Sequence, residues 1–152
     1  MTTNRKADEA DIRRIISAWI MGLRTKDVDA VMAHAAPDIL SFDLAPPLAS
    51  RGADRYRKNL EAWFPTWDGS IDAEARDLQI TMGDEVAFST SLNRIGGAKK
   101  GGEHTNIWVR VTVGFRKIEG RWLVTHEHVS TPFYMDGSLR AAVDLSPDPT
   151  TT

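Results

Sequence analysis

The hydrophobic periodicity of this chain differs between its two halves, and this difference constrains the fold most strongly. Between residues 7 and 23 the apolar side chains recur every three or four positions, as at Ile12, Ile16 and Trp19, which is the spacing of a one-sided helix. From residue 70 onward, β-branched and aromatic residues form runs separated by turn signals, which is typical of strands. Helices followed by neighbouring strands indicate the α+β class.

The rest of the predicted order consists of two more helices and five strands. Asp27 can cap a short second helix that ends before Pro37, and Pro65 stops the third helix. The third helix covers about residues 53–63, and the strands cover residues 38–43, 70–81, 85–95, 104–117 and 121–130. Residues 96–102 are predicted to form a flexible loop, and residues 146–152 a disordered tail. We therefore expect a curved antiparallel sheet wrapped around helices into a cone with an internal pocket.

The last predicted strand, residues 121–130, carries the pattern that points most directly to a site. Because side chains alternate between the faces of a strand, His126 and His128 continue the row of Trp122 and Val124. An apolar row normally faces the interior, where an imidazole needs a partner and its pKa becomes tunable. On this pattern Glu127 faces the opposite way. The sequence thus predicts a sheet-lined pocket that contains both histidines.

A hairpin turn at residues 119–120 would fix the pairing of the last two strands. If that turn is the tip, Lys117 pairs with Trp122, and the predicted pairs further along are Val113 with His126 and Val111 with His128. The valines of residues 109–113 then share the histidine face. Trp108, Arg110 and Thr112 fall on the reverse face, with Arg110 near Glu127.

Composition narrows the classes of function. The chain has 152 residues, 41% hydrophobic and 26% charged, which fits a single domain over residues 1–152 with its core at about residues 7–134. A formal net charge of −2 with interspersed signs predicts no nucleic-acid or membrane partner, and we expect a small apolar molecule instead. The chain has no cysteine, and no apolar run is long enough for a signal core or a membrane span. We expect a cytoplasmic protein.

Four segments resemble one known superfamily. They are residues 26–31, 37–43, 108–112 and 120–132, and the likeness extends over roughly residues 7–134. The chain resembles the ketosteroid-isomerase-like superfamily, which has the cone fold of nuclear transport factor 2 and is also called cystatin-like, and within it the SnoaL-like proteins. This resemblance implies the cone fold, whereas many different chemistries occupy that cone.

Asp43 is the first candidate catalytic residue. The resemblance places it where ketosteroid isomerases keep the aspartate that moves the proton, and it places Trp19 where they have the oxyanion-hole tyrosine. A base needs a pKa near the working pH, which an aspartate reaches only when it is desolvated or beside another acid. The alternative is that Asp43 caps the proline loop by accepting backbone N–H groups.

His126 and His128 complete the predicted catalytic set, and three interpretations remain open for them. They are a buried pair hydrogen-bonded to Ser130, Thr90 or backbone, a general acid or substrate-positioning pair, or two ligands of a metal. A metal would need a third ligand from Asp43 or His104, so we expect no metal and no cofactor. The residues expected to contact a ligand are Trp19, Tyr56, Trp63, Phe64 and Ser130.

Two hypotheses of function follow. The first is a cofactor-independent isomerase, cyclase or dehydratase that moves a proton on an apolar carbonyl or ring compound, with Asp43 as the base and a histidine polarising the oxygen. The second is a non-catalytic module of the same fold that binds a ligand or mediates assembly. In either case Trp108 predicts a homodimer through the outer sheet face, because a monomer would leave this large aromatic exposed.

Overall fold

The computed structural model describes residues 4–148. The order of elements is α1 (Arg5–Thr25), α2 (Val28–Met32), β1 (Ala35–Phe42), β2 (Ser50–Arg51), α3 (Ala53–Trp63), a short 3-10 turn (Phe64–Thr66), β3 (Trp67–Met82), β4 (Val86–Lys99), β5 (His104–Ile118) and β6 (Arg121–Ser130). The predicted α+β class is confirmed, and the chain has one strand more than expected because the short β2 follows the proline loop.

The strands form one curved, open sheet in the order β2-β1-β6-β5-β4-β3. Neighbouring strands are antiparallel, except that β1 and β6 run parallel. The strands β3 to β6 form the predicted meander, since each pairs with the next. β1 and β6 are neighbours in the sheet although they are far apart in the sequence. The end of β1 therefore lies next to the last strand.

Both ends of α1 and the start of α2 lie at residues that cap free backbone groups. The Asn4 side chain accepts a hydrogen bond from the Ala7 N–H at 3.2 Å and caps α1. Lys26 ends α1 in a left-handed conformation with φ of 55°. The Asp27 side chain then accepts from the Ala30 N–H at 3.1 Å, so the predicted cap of α2 is confirmed. Caps at both ends of so short a connection fix the angle between α1 and α2.

The core lies between the helices and the inner face of the sheet. One buried cluster joins Leu23 of α1 and Leu60 of α3 to Trp67 and Ile71 of β3. A second cluster packs Ile12 against Phe115, with further contacts to Ile15, Ala87 and Trp122. The helices therefore cover one face of the sheet, and the inner wall of the molecule is set by residues that alternate along the strands.

A β-bulge interrupts the pairing of β5 and β6. The hairpin tip at Glu119 and Gly120 is confirmed by positive φ values at both residues, and Lys117 pairs with Trp122 as predicted. Further along, Phe115 pairs with Val124 but Gly114 pairs with His126, so one residue, Thr125, has no partner. After the bulge the observed pairs are Gly114–His126, Val113–Glu127, Thr112–His128 and Val111–Val129. The predicted pairs of Val113 and Val111 with the two histidines are therefore wrong by one residue.

Two irregular segments also differ from their predictions. The loop expected at residues 96–102 is shorter, because β4 continues to Lys99 and only the following residues turn. In the predicted tail, Asp148 pairs with Arg76 at 2.6 Å, so residues 146–148 are held against β3, while residues 149–152 lie outside the described residues. Over residues 4–148, no helix is both long and apolar enough to cross a membrane.

Candidate functional site

A cavity of about 410 Å³ lies between the helices, the end of β1 and the inner face of the sheet. Its wall is mostly apolar or aromatic, and includes residues of α1 (Trp19, Leu23), α3 (Tyr56, Leu60, Trp63) and the sheet (Ile95, Val109, Val111, Val129). A volume in the range of small-molecule sites, with few polar groups in the wall, is typical of a ligand pocket. The polar groups that do face it carry the chemistry of the site.

Glu127 is a buried carboxyl group in the wall of this cavity. It is 9% exposed and lies on the inner face of β6. Burial withdraws the carboxyl from water and raises its pKa from 4.5 to about 7, and the nearby charge of Asp43 acts in the same direction. Hydrogen bonding from the Tyr56 hydroxyl opposes these two effects by favouring the carboxylate. Glu127 can therefore both lose and accept a proton near neutral pH.

Tyr56 links Glu127 to the first helix. The Trp19 indole Nε1–H donates to the Tyr56 hydroxyl oxygen at 3.3 Å, which leaves the phenolic proton free to be donated onward. Burial, and then the charge of Glu127, raise the pKa of Tyr56 well above its ordinary value. The phenol therefore stays protonated at neutral pH. Trp19, Tyr56 and Glu127 form a chain of hydrogen-bonding groups that runs from α1 through α3 to β6.

Asp43 lies just after β1, where the strand opens into the proline loop. Its side chain lines the cavity and is exposed to solvent. Its Oδ1 also accepts the Leu44 backbone N–H at 2.7 Å. The two interpretations of this residue, a pocket acid and a loop cap, thus describe the same side chain.

The two histidines lie on the outer face of the sheet, away from the cavity. The Nδ1 of His126 is 2.7 Å from the Leu40 carbonyl oxygen, so this nitrogen donates its proton to the backbone of β1. The Phe42 ring lies between both imidazoles, at 4.9 Å from His126 and 5.4 Å from His128 between ring centroids. The prediction that the histidines share a cavity with Asp43 is therefore wrong. This placement removes the contact with a cavity ligand on which their predicted catalytic role depended.

The bulge at Thr125 is the physical reason why Glu127 faces the cavity and the two histidines face outward. An extra residue in one strand reverses the alternation beyond it, so Glu127 and Val129 turn inward and the histidines turn outward. The Thr125 hydroxyl donates to the Gly114 carbonyl at 3.3 Å, which satisfies an acceptor at the interruption. A side chain at Gly114 would place its Cβ 3.3 Å from the His126 Cβ, so glycine fits this crowded position.

Glu127 was missed because strict alternation was assumed along the whole strand. The sequence does contain one signal for the correct reading, because Gly114 stands inside a strand-like run, and a glycine there often marks a bulge or a close approach of backbones. That signal gives the neighbourhood of a bulge but not the residue that is left unpaired.

The predicted ligand-contacting residues divide into two groups. Trp19, Tyr56 and Trp63 line the cavity. Phe64 instead belongs to the buried core beside Trp63, and Ser130 lies on the outer face, where its hydroxyl accepts from Arg110 Nε at 3.2 Å. That contact also places Arg110 away from Glu127, contrary to the prediction.

The charged groups of the cavity wall are mainly acidic. Asp43 and Glu127 are carboxyl groups, whereas the guanidinium of Arg94, which also contributes to the wall, is engaged by Glu74 at 3.3 Å and Asn106 at 3.4 Å. Within residues 4–148 no group of three or more His, Asp or Glu side chains is placed to hold a metal ion. The arrangement suits a neutral ligand better than an anionic one.

The chain, with its curved open sheet and the cavity beneath the helices, belongs to the SnoaL-like domain family, whose sequence profile matches residues 12–134. No curated protein has a significantly similar sequence. The chain is similar to an NTF2-like protein of unknown function from Pseudomonas putida KT2440, with 31% identity, coverage of 93% of this chain and 98% of that one, and a TM-score of 0.84.

Two more distant structures share the fold. One is a candidate dehydratase of the NTF2-like family from Streptomyces avermitilis, with 13% identity, coverage of 82% of this chain and 96% of that one, and a TM-score of 0.72. The other is the association domain of CaMKII from C. elegans, with 17% identity, coverage of 86% and 100%, and a TM-score of 0.65. The same cone is therefore found in proteins with very different descriptions.

Proposed function

We propose that this protein is a cofactor-independent acid–base enzyme that moves a proton on a neutral, apolar carbonyl or ring compound. The observation that carries the proposal is the buried Glu127 carboxyl, whose pKa is raised to about 7 inside an apolar cavity. A group with this pKa has both a proton to give and a site to receive one at neutral pH, which is what proton transfer in both directions requires.

In the proposed reaction the Glu127 carboxylate removes a proton from a carbon next to the substrate carbonyl. The C–H electrons form a carbon–carbon double bond, and the carbonyl oxygen takes up the negative charge. In a β,γ-unsaturated ketone the Glu127 carboxyl then returns the proton to the γ-carbon, which is an isomerisation. In a β-hydroxy ketone the enolate electrons form a double bond as the protonated hydroxyl leaves as water, which is a dehydration. Because the apolar wall excludes bulk water, Glu127 exchanges its proton with the bound substrate more readily than with solvent.

Tyr56 and Asp43 adjust this acid from two sides. The Tyr56 hydroxyl stabilises the carboxylate, whereas the Asp43 charge at the solvent end destabilises it. The two influences oppose one another, and burial leaves the pKa of Glu127 near neutrality. In this proposal the charge of Asp43 tunes Glu127, and Glu127 takes the role of base that the family resemblance assigned to Asp43.

Exchange of α-protons for deuterium tests the proposal without knowledge of the natural substrate. The probe is 4-phenylcyclohexanone in D₂O, followed by proton NMR. We expect the protein to accelerate loss of the α-proton signals, and E127Q to abolish that acceleration. The matched control is H128Q, which changes the next residue of the same strand on the outer face and should exchange like the wild type. Equal exchange by E127Q and wild type would overturn the proposal.

The second candidate is a non-catalytic module that binds a ligand or mediates assembly. It is favoured by the aromatic outer face of the sheet, where Phe42 contacts both histidines and the Arg76 guanidinium lies over the Trp108 ring at 5.1 Å. The similarity to a CaMKII association domain agrees with assembly through this fold. Pairing through the outer face leaves the cavity open, so a homodimer is compatible with either candidate.

A further inference from the structure

Asn93 is a further buried polar group in the cavity wall, and the proposed proton transfer does not use it. It lies on the inner face of β4 and is 5% exposed. The Ser91 hydroxyl, two residues earlier on the same face, donates to the Asn93 Oδ1 at 2.7 Å. In this arrangement the Asn93 Oδ1 faces Ser91, so the NH₂ group faces the other way.

The amide NH₂ of Asn93 has no hydrogen-bond acceptor within the described part of the chain, residues 4–148. The Asn93 side chain as a whole is buried, and the polar groups of buried side chains are usually paired with protein or ligand. Since Asn93 lines the cavity, the partner that this geometry accommodates is an acceptor on a bound molecule. We propose that Asn93, held by Ser91, is a ligand-positioning residue that donates to an uncharged oxygen of the substrate.

The strand register separates this donor from the catalytic acid. Asn93 pairs with Val109 of β5, whereas Glu127 pairs with Val113 of the same strand from its other side. The two residues are therefore four positions apart along β5, about 13 Å at the usual rise, and two strand spacings apart across the sheet, about 10 Å. A ligand that meets both groups must span the cavity. Its oxygen at Asn93 is then distinct from the carbonyl that reacts beside Glu127.

The charges of the wall restrict this second oxygen to an uncharged group. Asp43 and Glu127 are acids, and the Arg94 guanidinium is already engaged by Glu74 and Asn106. Among the wall residues of the described part of the chain, 4–148, no other cation is present to receive a carboxylate or phosphate. The inference, which rests on the proposed function, is that the substrate is an elongated, neutral ring compound with a carbonyl at one end and an ether, hydroxyl or carbonyl oxygen at the other.

Two probes of equal size test this positioning role. They are 4-(4-methoxyphenyl)cyclohexanone, which has a terminal oxygen acceptor, and 4-(4-ethylphenyl)cyclohexanone, in which a CH₂ group replaces that oxygen. Their dissociation constants are measured by the fluorescence of the cavity tryptophans. We expect N93L to lower the methoxy preference, which is the ratio of the two affinities, about fivefold relative to wild type, as loss of one neutral hydrogen bond does.

Further variants separate positioning from a merely structural role. N93D keeps an oxygen for Ser91 but removes the donor, so it should lose the methoxy preference as N93L does, and it serves if N93L does not fold. S91A should lose part of the preference, and S91T, which retains a hydroxyl, should restore it. An unchanged preference in folded N93L or N93D would overturn the inference, as would failure of both probes to bind the wild type.

The same probes distinguish this inference from the proposed function. In E127Q the α-proton exchange should be lost while the methoxy preference stays at the wild-type value, because Asn93 is untouched. In N93L the preference should be lost while the ethyl compound still exchanges its α-protons. If E127Q exchanges normally but N93L loses the preference, the proposed proton transfer fails and the ligand-positioning role stands.

Discussion

The ionisation of Glu127 couples the chemistry of the cavity to the stability of the fold. Its ordinary pKa is 4.5 and its pKa in the folded protein is about 7, chiefly because of burial. At low pH both the folded and the unfolded chain hold the proton, so no penalty arises. As the pH rises from about 4.5 to about 7, the unfolded chain releases the proton more readily, and the folded state loses relative stability.

Replacing this carboxyl with an amide of the same shape should remove the pH dependence. One pKa unit corresponds to about 1.4 kcal/mol, so E127Q should gain on the order of 3 kcal/mol over wild type when the pH is raised from about 4 to about 8. Urea unfolding of both proteins at the two pH values measures the gain. The control H128Q keeps the Glu127 carboxyl, so its change of stability between the two pH values should equal that of wild type. A stability difference that does not change with pH would contradict this account.

Tyr56 should set the pH at which the protein works. Its hydroxyl lowers the pKa of Glu127, so Y56F should raise that pKa further and move the midpoint of α-proton exchange upward by roughly one pH unit. The other tyrosine, Tyr134, provides the control, because its hydroxyl contacts Asp144 outside the cavity. Y134F should keep the wild-type midpoint. A midpoint that moves downward in Y56F would show that the phenol does not stabilise the carboxylate.

The candidate site could be predicted from the sequence only where neighbours along the chain decide the outcome. Trp19 and Tyr56 were expected in the cavity from helical spacing, and the family resemblance supplied the positions of Asp43 and, again, Trp19. The roles of Glu127 and Asn93 depend on which way a strand residue faces. For Glu127 the unpaired Thr125 reverses that direction, whereas β4 pairs with β5 without interruption at Asn93. Their site roles arise from a register between strands, which the sequence of one strand does not contain.

At the scale of elements, the contact between α1 and α2 is unusually close at Gly22. A side chain built on Gly22 would place its Cβ 2.8 Å from Val31 Cγ2 and 2.9 Å from the Val31 backbone nitrogen. The backbone of α2 cannot move away easily, because Asp27 and Lys26 fix the connection at both ends. The helical hairpin therefore depends on the absence of a side chain at this position.

This contact predicts an exception to the usual helix propensities. Alanine normally stabilises a helix by about 1 kcal/mol relative to glycine, but overpacking costs about 1–3 kcal/mol. Because the clash is with backbone, we expect G22A to lower the free energy of unfolding by about 1–2 kcal/mol. S17A, at an exposed position of the same helix, should raise it slightly. Urea unfolding compares the variants, and a G22A protein more stable than wild type would show that α2 can move.

The elements themselves were largely predictable from local signals. The third helix, the cap of α2 and the Glu119–Gly120 turn are specified by residues within a few positions of each other, and all three are confirmed. The extension of β4 to Lys99 was not predicted, because glycines favour a loop. In the structure, pairing with β3 and β5 holds the glycines of β4 in an extended conformation. Tertiary pairing decides such segments, and local preference does not.

At the scale of the whole molecule, we propose the outer face of the sheet as the surface that binds a second copy of the chain. It carries Trp108 and, elsewhere on the same face, the cluster of Phe42 with both histidines. Two such faces can pair about a twofold axis without obstructing either cavity. The histidines would then contribute to the dimer contact. This role would account for their packing against Phe42 at a place where no cavity ligand can reach them.

A charge placed in this face should separate the subunits. We expect the wild type to sediment as a dimer at micromolar concentration and W108E to sediment as a monomer, because a buried unpaired carboxylate opposes association. M21E changes an exposed methionine of α1, which lies on the other side of the molecule, and should remain dimeric. A wild-type monomer under these conditions would end the proposal of pairing through the outer face.

The unpaired position of Thr125 also bears on how related chains can differ in length. If Thr125 were deleted, β6 would become a regular strand in which Val124 faces inward, His126 outward and Glu127 inward, as they do now. A relative can thus lack one residue here and keep the same inner wall. In a sequence alignment its acid would then fall one column away from Glu127 unless a gap is opened at Thr125. Equivalent residues of β6 in two chains must therefore be matched by their positions in space and not by residue count.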